Sequence, residues 1–240
     1  YLAKIYGVIL SHAIITVCLI ILFRNLFIFK FSLYKLKTSL KFSYPQVPKD
    51  LMGLAYSSFD KIMLNKFTGL ASITYYSFGT TFAGLIKTIM DALAKTWSPF
   101  FLNKAHQGGG KAKLEIIEKY FKMVTIIMVF GLVIIYFSEE AIKLLTTEEF
   151  YPSIYIVPVV VFYFLFGIPG MLVVPQLMFA EKMTYGIIIT FIGCVLNIIL
   201  NLILIPQFGA IGAAIATMIA SLFTCFPQIY LGQKAYYLPL

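Results

Sequence analysis

The chain has 240 residues, of which 60% are hydrophobic and 12% are charged, and its mean hydropathy is +0.91. Soluble domains carry roughly 25% charged residues. A soluble core of this chain length does not use so much apolar surface, so a soluble globular fold is excluded and an integral membrane protein is predicted. Basic loops on one side of a membrane, attracted to anionic lipid, account for the net charge of +9. Nucleic-acid binding is not needed to explain it.

Seven stretches are long and apolar enough to span a bilayer, which takes about 20 mainly apolar residues. They cover residues 3–23, 45–64, 71–93, 118–138, 153–175, 184–205 and 209–232. The second and third give the weakest signal, because charged residues fall inside them or near their ends. The pattern predicts an all-α fold, a polytopic transmembrane helix bundle of about seven spans.

The basic residues predict the orientation of the spans, since short cytoplasmic loops are enriched in lysine and arginine. The connections after spans one and three contain ten of them: Arg24, Lys30, Lys35, Lys37, Lys41, Lys49, Lys95, Lys104, Lys111 and Lys113. The connection at 139–152 instead contains four glutamates and one lysine. We therefore expect the connections after spans one, three and five, and the C-terminus, to be cytoplasmic. Because an odd number of spans then starts outside, we also expect a preceding helix bundle.

The segment at 24–43 is too basic to span. Lys30, Lys37 and Lys41 fall near one face of a helix whose other faces are largely apolar. This pattern is typical of an amphipathic helix that lies in the membrane interface. A long basic connection here also suits a boundary between two bundles.

Span two carries polar residues at membrane depth, where charge is costly and usually faces protein or water. Asp60 and Lys61 are adjacent, so on a helix they point about 100° apart, and we expect each to have its own partner on another helix. Ser57 and Lys61 share one face. The two charged residues either anchor the helix at the outer interface or line a hydrated cavity.

Span three places Lys87 and Asp91 four residues apart, a spacing at which an ion pair forms within a helix. The pair serves either packing or substrate contact. Tyr75 and Tyr76 at the outer end, and Trp97 at the inner end, are typical of interfacial aromatic anchors.

The last three spans contain helix-breaking and small residues. Span five is interrupted by Pro152, Pro158, Pro169 and Pro175, with Gly167 and Gly170 between them. These residues predict a bend, either a hinge or a static kink. Spans six and seven should form a tight hairpin around 206–209. We predict close helix packing through Gly212 and Ala216 in a repeat of small residues, and inter-helical hydrogen bonds from Asn197 and Asn201.

Catalytic and metal-binding patterns are not recognisable in the sequence. The three cysteines each lie alone in an apolar run, and the two histidines share no ligand spacing with a cysteine or an aspartate. The sequence contains no nucleophile–base pair and no nucleotide motif. We expect a transporter rather than an enzyme, with no metal and no cofactor.

Three segments resemble one protein family in the right order and spacing. They are SSFDKIMLNKFTGLASITYYSFG at 57–79, LLTTEEFYPSIYIVPVV at 144–160 and NLILIPQFGAIGAAIATMIA at 201–220. All three are similar to segments of Wzx-type flippases for O-antigen, capsule and exopolysaccharide. These flippases belong to the multidrug/oligosaccharidyl-lipid/polysaccharide exporter superfamily.

The resemblance implies two six-helix lobes around a cavity that opens alternately to each side, a MATE-like fold. Residues 1–23 would be the last helix of the N-terminal lobe, 24–44 a basic cytoplasmic linker and 45–240 the C-terminal lobe. The family moves polyprenyl-diphosphate-linked oligosaccharide repeat units across the bacterial cytoplasmic (inner) membrane without hydrolysing nucleotide. The resemblance thus implies lipid-linked oligosaccharide and membrane lipids as partners, with polysaccharide polymerase and glycosyltransferases as further ones. Asp60 and Lys61 match the family's acidic–basic pair, and Lys87, Asp91 and Ser57 complete the candidate cavity residues.

Two alternative functions remain open. A cation-coupled drug exporter of the same superfamily would use a membrane-embedded acid such as Asp60 to bind a coupling ion, H⁺ or Na⁺. A non-transporting scaffold for glycosyltransferases would work through the basic loops. Charge at membrane depth favours transport over the scaffold.

Overall fold

The structure is a computed structural model that describes residues 2–24, 32–44 and 46–239. Within these ranges every regular element is a helix, so the predicted all-α fold is confirmed. The chain divides into two compact units, Tyr1–Ser43 and Tyr44–Leu240. All candidate site residues lie in the second unit.

The first unit contains helix α1 (Leu2–Leu22) and helix α2 (Leu33–Ser43). The described apolar side chains of α1 are exposed all around the helix within this unit, as expected of a helix that lies in lipid or against another helix. Part of the predicted basic linker, including Lys30, lies outside the described residues.

The second unit begins with α3 (Gln46–Thr68), α4 (Leu70–Ala83), α5 (Leu85–Gln107) and α6 (Gly109–Leu145). A 3₁₀ segment (Glu148–Tyr155) then leads into α7 (Ile156–Phe166), α8 (Ile168–Phe179) and α9 (Thr184–Ala235). Helices α3, α7 and α8 pack against α9, and α5 packs against α6.

Within the described ranges, three helical segments are long and apolar enough to cross a membrane: Gly109–Leu145, Glu148–Phe179 and Thr184–Ala235. Tyr6–Leu22 is a shorter apolar helix. Together they are compatible with a polytopic membrane bundle. The predicted second and third spans fall outside this set, which agrees with their charged residues.

Two of the predicted spans are broken near their middle. The third is interrupted at Gly84, between α4 and α5, where ψ is −9° although the residue stays in the right-handed helical region. The fifth breaks at Gly167, between α7 and α8, two residues before Pro169. Proline lacks an N–H and its ring clashes with the preceding turn, so the break at Gly167 has a direct cause in the sequence.

Helix α9 is a hairpin of two arms, residues 184–208 and 210–235. The backbone reverses at Gly209, whose φ of 57° and ψ of −132° are accessible mainly to glycine. Asn197 and Thr217 are hydrogen-bonded at 3.1 Å, although 20 residues along a straight helix would separate them by about 30 Å. The arms approach so closely that a Cβ on Gly212 would overlap the carbonyl oxygen of Leu204.

Two buried clusters hold the second unit together. The larger joins all the helices from α3 to α9 around residues such as Leu64, Ile86, Ile127 and Val161. The smaller packs Trp97, Phe101, Ile116 and Leu172 against Leu238, which lies beyond the end of α9. Trp97 is fully buried, so its predicted role as an interfacial anchor is wrong: its ring packs against Phe101 and Tyr120.

Candidate functional site

A carboxylate is buried in the apolar interior of the second unit. Asp60 of α3 is 5% exposed. Its Oδ2 accepts a hydrogen bond from the hydroxyl of Tyr76 at 2.7 Å. The Thr217 hydroxyl lies 3.3 Å from the same oxygen and shares its one proton between Asp60 and the carbonyl of Ala213, which is 3.0 Å away. Its Oδ1 accepts a hydrogen bond from the amide Nδ2 of Asn201 at 2.7 Å. Buried charges are stable only when such partners are present, so three donors from α4 and both arms of α9 hold this group in place.

The network continues along the hairpin. Asn197 donates to the Thr217 hydroxyl at 3.1 Å, and Asn201 donates to Asn197 Oδ1 at 3.0 Å. Asn197 and Asn201 are both completely buried. The side-chain carbonyl oxygen of Asn201 is also buried, and it has no hydrogen-bond partner among the described residues. The network therefore offers a carboxylate and an unused carbonyl oxygen close together, and oxygen ligands of this kind suit a proton or a hard cation.

The sequence did not identify two members of this network. Tyr76 was predicted to be an interfacial anchor, but it is 4% exposed and donates to Asp60, so that prediction is wrong. Thr217 lies in the same run of small residues as Gly212 and Ala216, and the sequence predicted no polar role for it. The one available signal was its spacing. Ala213, Thr217 and Ser221 lie on one face of the helix, so the Thr217 hydroxyl points toward the helix that packs against this face.

Lys61 is exposed and lines a cavity of about 250 Å³ together with Asp60, Tyr76 and Thr80. The described hydrogen bonds of Asp60 come from hydroxyl and amide groups on other helices rather than from Lys61. The side chain of Ser57 lies outside the described residues.

Lys87 and Asp91 form the ion pair that their spacing predicted, with Nζ 2.5 Å from Oδ2. Their side chains are 59% and 57% exposed. The pair lines a second cavity of about 350 Å³, whose wall also contains Thr190, Ser221 and Thr224. Lys87 and Asp91 therefore lie at the edge of an open cavity rather than in a sealed core.

The two residues predicted for close helix packing lie in the α9 hairpin. Gly212 and Ala216 are buried in the second arm of α9, and Gly212 faces the backbone of the first arm at Leu204. Among the described residues, no three histidine, cysteine, aspartate or glutamate side chains come together as metal ligands.

A family model described as "Polysaccharide biosynthesis protein" matches residues 1–158, which run from α1 into α7. No curated protein and no solved structure matches the chain. The matched region contains Asp60, Lys61, Lys87 and Asp91, and it ends before the α9 hairpin, which supplies Asp60 with the Asn201 amide and the Thr217 hydroxyl.

Proposed function

Because the chain belongs to the polysaccharide biosynthesis protein family, we propose that it flips polyprenyl-diphosphate-linked oligosaccharides across the bacterial cytoplasmic membrane. The family match and the apolar helices indicate a membrane protein of polysaccharide biosynthesis. The proposal adds the reaction, its substrate and the membrane.

One observation carries the proposal: a lysine and an aspartate border a cavity whose largely apolar wall also contains hydroxyl-bearing side chains. Charge at membrane depth is expensive and typically marks a substrate path. A diphosphate group must cross the same apolar barrier, and two unit charges 4 Å apart attract each other about four times more strongly near protein than in bulk water. Lys87 would lower the cost of moving the diphosphate. Asp91 would hold Lys87 in position while the cavity is empty.

The broken helices support an alternating-access mechanism. α4–α5 and α7–α8 each have a break at a glycine, and broken helices at a binding site recur in secondary transporters. Bending at Gly84 and Gly167 would open the cavity first to one side of the membrane and then to the other. The polyprenyl tail would stay in lipid throughout.

Asp60 supports coupling of this movement to an ion. A buried carboxylate beside an unused carbonyl oxygen would bind H⁺ or Na⁺ and release it when the hairpin and α3 move apart. A cation-coupled drug exporter of the same superfamily would also need a carboxylate such as Asp60 for its coupling ion, so Asp60 does not distinguish the two functions. Membership of the polysaccharide biosynthesis family favours the oligosaccharide as cargo, with the polymerase and glycosyltransferases as partners.

Replacing Lys87 with alanine in the full-length protein is expected to lower polysaccharide export at least about tenfold, because a hydrogen bond to a charged group contributes about 1.5–3 kcal/mol. Lys61→Ala should lower export less, because Lys61 does not line the cavity beside Lys87 that we propose for the diphosphate. Arginine at either position should retain more activity than alanine, since it keeps the charge. Export is measured by complementation of a flippase-null strain, with membrane levels determined by immunoblot.

Lys122→Ala is the matched control. Lys122 forms an exposed ion pair with Glu118 at the same spacing, 2.6 Å apart, but lines neither of the two cavities. This variant should export normally. Full complementation by both Lys87→Ala and Lys61→Ala at normal membrane levels would refute the cationic cavity in this lobe.

A further inference from the structure

The cavity beside Lys87 has a wall of hydroxyl groups whose protons are already in use. Thr190 donates to the carbonyl of Gly186 at 2.9 Å, and Thr224 donates to that of Ser221 at 2.9 Å. Ser221 donates across the helix interface to the carbonyl of Tyr163 at 3.1 Å. All three hydroxyl-bearing residues line the cavity.

A hydroxyl has one proton and two lone pairs. Once the proton is donated to the backbone, only the lone pairs remain for a ligand. The carboxylate of Asp91 adds further acceptors to the same cavity. The side-chain oxygen of Gln228, another lining residue, is buried without a hydrogen-bond partner among the described residues. The three hydroxyl groups, Asp91 and the Gln228 oxygen therefore offer acceptors, while Lys87 and the amide nitrogen of Gln228 are donors at the same cavity.

Packing keeps the hydroxyl groups in this arrangement. The methyl group of Thr224 packs against Gly193, where an added Cβ would lie 2.9 Å from it. The bond from Ser221 to Tyr163 connects the second arm of α9 to α7. A ligand in the cavity thus meets hydroxyl oxygens that act as acceptors. These hydroxyl groups can donate to the ligand only if they give up their hydrogen bonds to backbone carbonyls.

We propose that three residues, Thr190, Ser221 and Thr224, form an acceptor wall that selects a sugar residue of the cargo. The wall would accept hydrogen bonds from the O–H and N–H groups of the sugar, while the diphosphate stays at Lys87. A phosphate group has only acceptor oxygens when it is ionised, so it does not fit the wall. A sugar hydroxyl or an acetamido N–H can donate a hydrogen bond to a lone pair of each hydroxyl oxygen in the wall. This inference rests on the proposed function and adds specificity-determining residues to it.

The test compares the affinity of the purified full-length protein for three lipids. They are a polyprenyl diphosphate, the same lipid bearing N-acetylglucosamine, and the same glycolipid with its sugar O–H and N–H groups methylated. We expect wild-type protein to bind the unmodified glycolipid at least about tenfold more tightly than the methylated one, since each unmet hydrogen bond weakens binding severalfold.

The double substitution Thr190→Val and Thr224→Val keeps the side-chain shape and removes two acceptor oxygens. It should abolish most of the preference for the unmodified glycolipid and leave the affinity for the bare diphosphate unchanged. Thr125→Val is the matched control, because Thr125 makes the same type of bond to the carbonyl of Phe121, at 2.9 Å, on an exposed face of α6. It should bind all three lipids as wild type does.

Other results would separate this inference from the proposed function. If the double variant keeps the wild-type preference, or loses affinity for all three lipids equally, the acceptor wall is not the selective element. The flippase proposal would survive either result. If wild-type protein binds none of the three lipids, the proposed function fails and the inference fails with it.

Discussion

Gly212→Ala is expected to destabilise the second unit by about 3 kcal/mol or more, enough to prevent recovery of folded protein. Atoms added to a closely packed site usually cost about 1–3 kcal/mol. Here the new Cβ would overlap backbone atoms, the carbonyl of Leu204 and the amide nitrogen of Ile205, which cannot rotate away as a side chain does. The arms of the hairpin would have to separate, and the bond between Asn197 and Thr217 would be lost with their contact.

Fluorescence-detected size-exclusion chromatography after a temperature series would measure this effect. Gly186→Ala is the matched control, since Gly186 lies in the first arm and its nearest neighbour, a methyl of Leu177, is 3.9 Å from the added Cβ. The control should melt within a few degrees of wild type. A Gly212→Ala protein that melts like wild type would show that the arms do not pack as closely as described.

Two substitutions at Asp60 are expected to separate its structural role from its charge. Asp60→Leu removes the acceptor of the buried hydrogen bonds from Tyr76 and Asn201, and of the shared one from Thr217. The lost partners should cost about 1–3 kcal/mol each. Asp60→Asn keeps one acceptor oxygen for Tyr76. Its new amide can donate to the side-chain oxygen of Asn201 once the amides of Asn201 and Asn197 turn over together. Both must turn, because Asn201 donates to Asn197 Oδ1 and that bond then re-forms in the opposite direction.

We therefore expect Asp60→Asn to fold with a melting temperature near that of wild type but to lose ion-coupled transport. Its rate of substrate translocation should fall at least about tenfold and should no longer respond to a proton or sodium gradient. Asp60→Leu should melt well below wild type. If Asp60→Asn keeps a gradient-dependent rate equal to wild type, then Asp60 only holds the helices together, and the coupling ion binds elsewhere.

Local patterns in the sequence predicted the features that depend on neighbouring residues. The break at Gly167 follows from Pro169, and the reversal at Gly209 follows from a Pro–Gln–Phe–Gly run between two apolar stretches. The ion pair between Lys87 and Asp91 depends only on helical spacing. The break at Gly84 has no proline beside it and gave no such signal.

The site depends on contacts between residues far apart in the sequence, which no local pattern reports. Asn201 and Thr217 lie 141 and 157 residues from Asp60. The polar character of Asn201 predicted a hydrogen bond across helices but not its partner. Tyr76 and Trp97 were misassigned for a related reason: an aromatic residue near the end of a span packs inward or anchors outward depending on neighbours that come from other helices.

The most direct test of a flippase is transport by the purified full-length protein in proteoliposomes. A lipid-linked oligosaccharide would be loaded in one leaflet and its appearance in the other followed with an impermeant lectin or oxidant. Wild-type protein should move the substrate without nucleotide and faster under an ion gradient, and Lys87→Ala should be at least about tenfold slower at equal protein density. A wild-type rate no higher than that of protein-free liposomes, under every gradient, would contradict the proposed function.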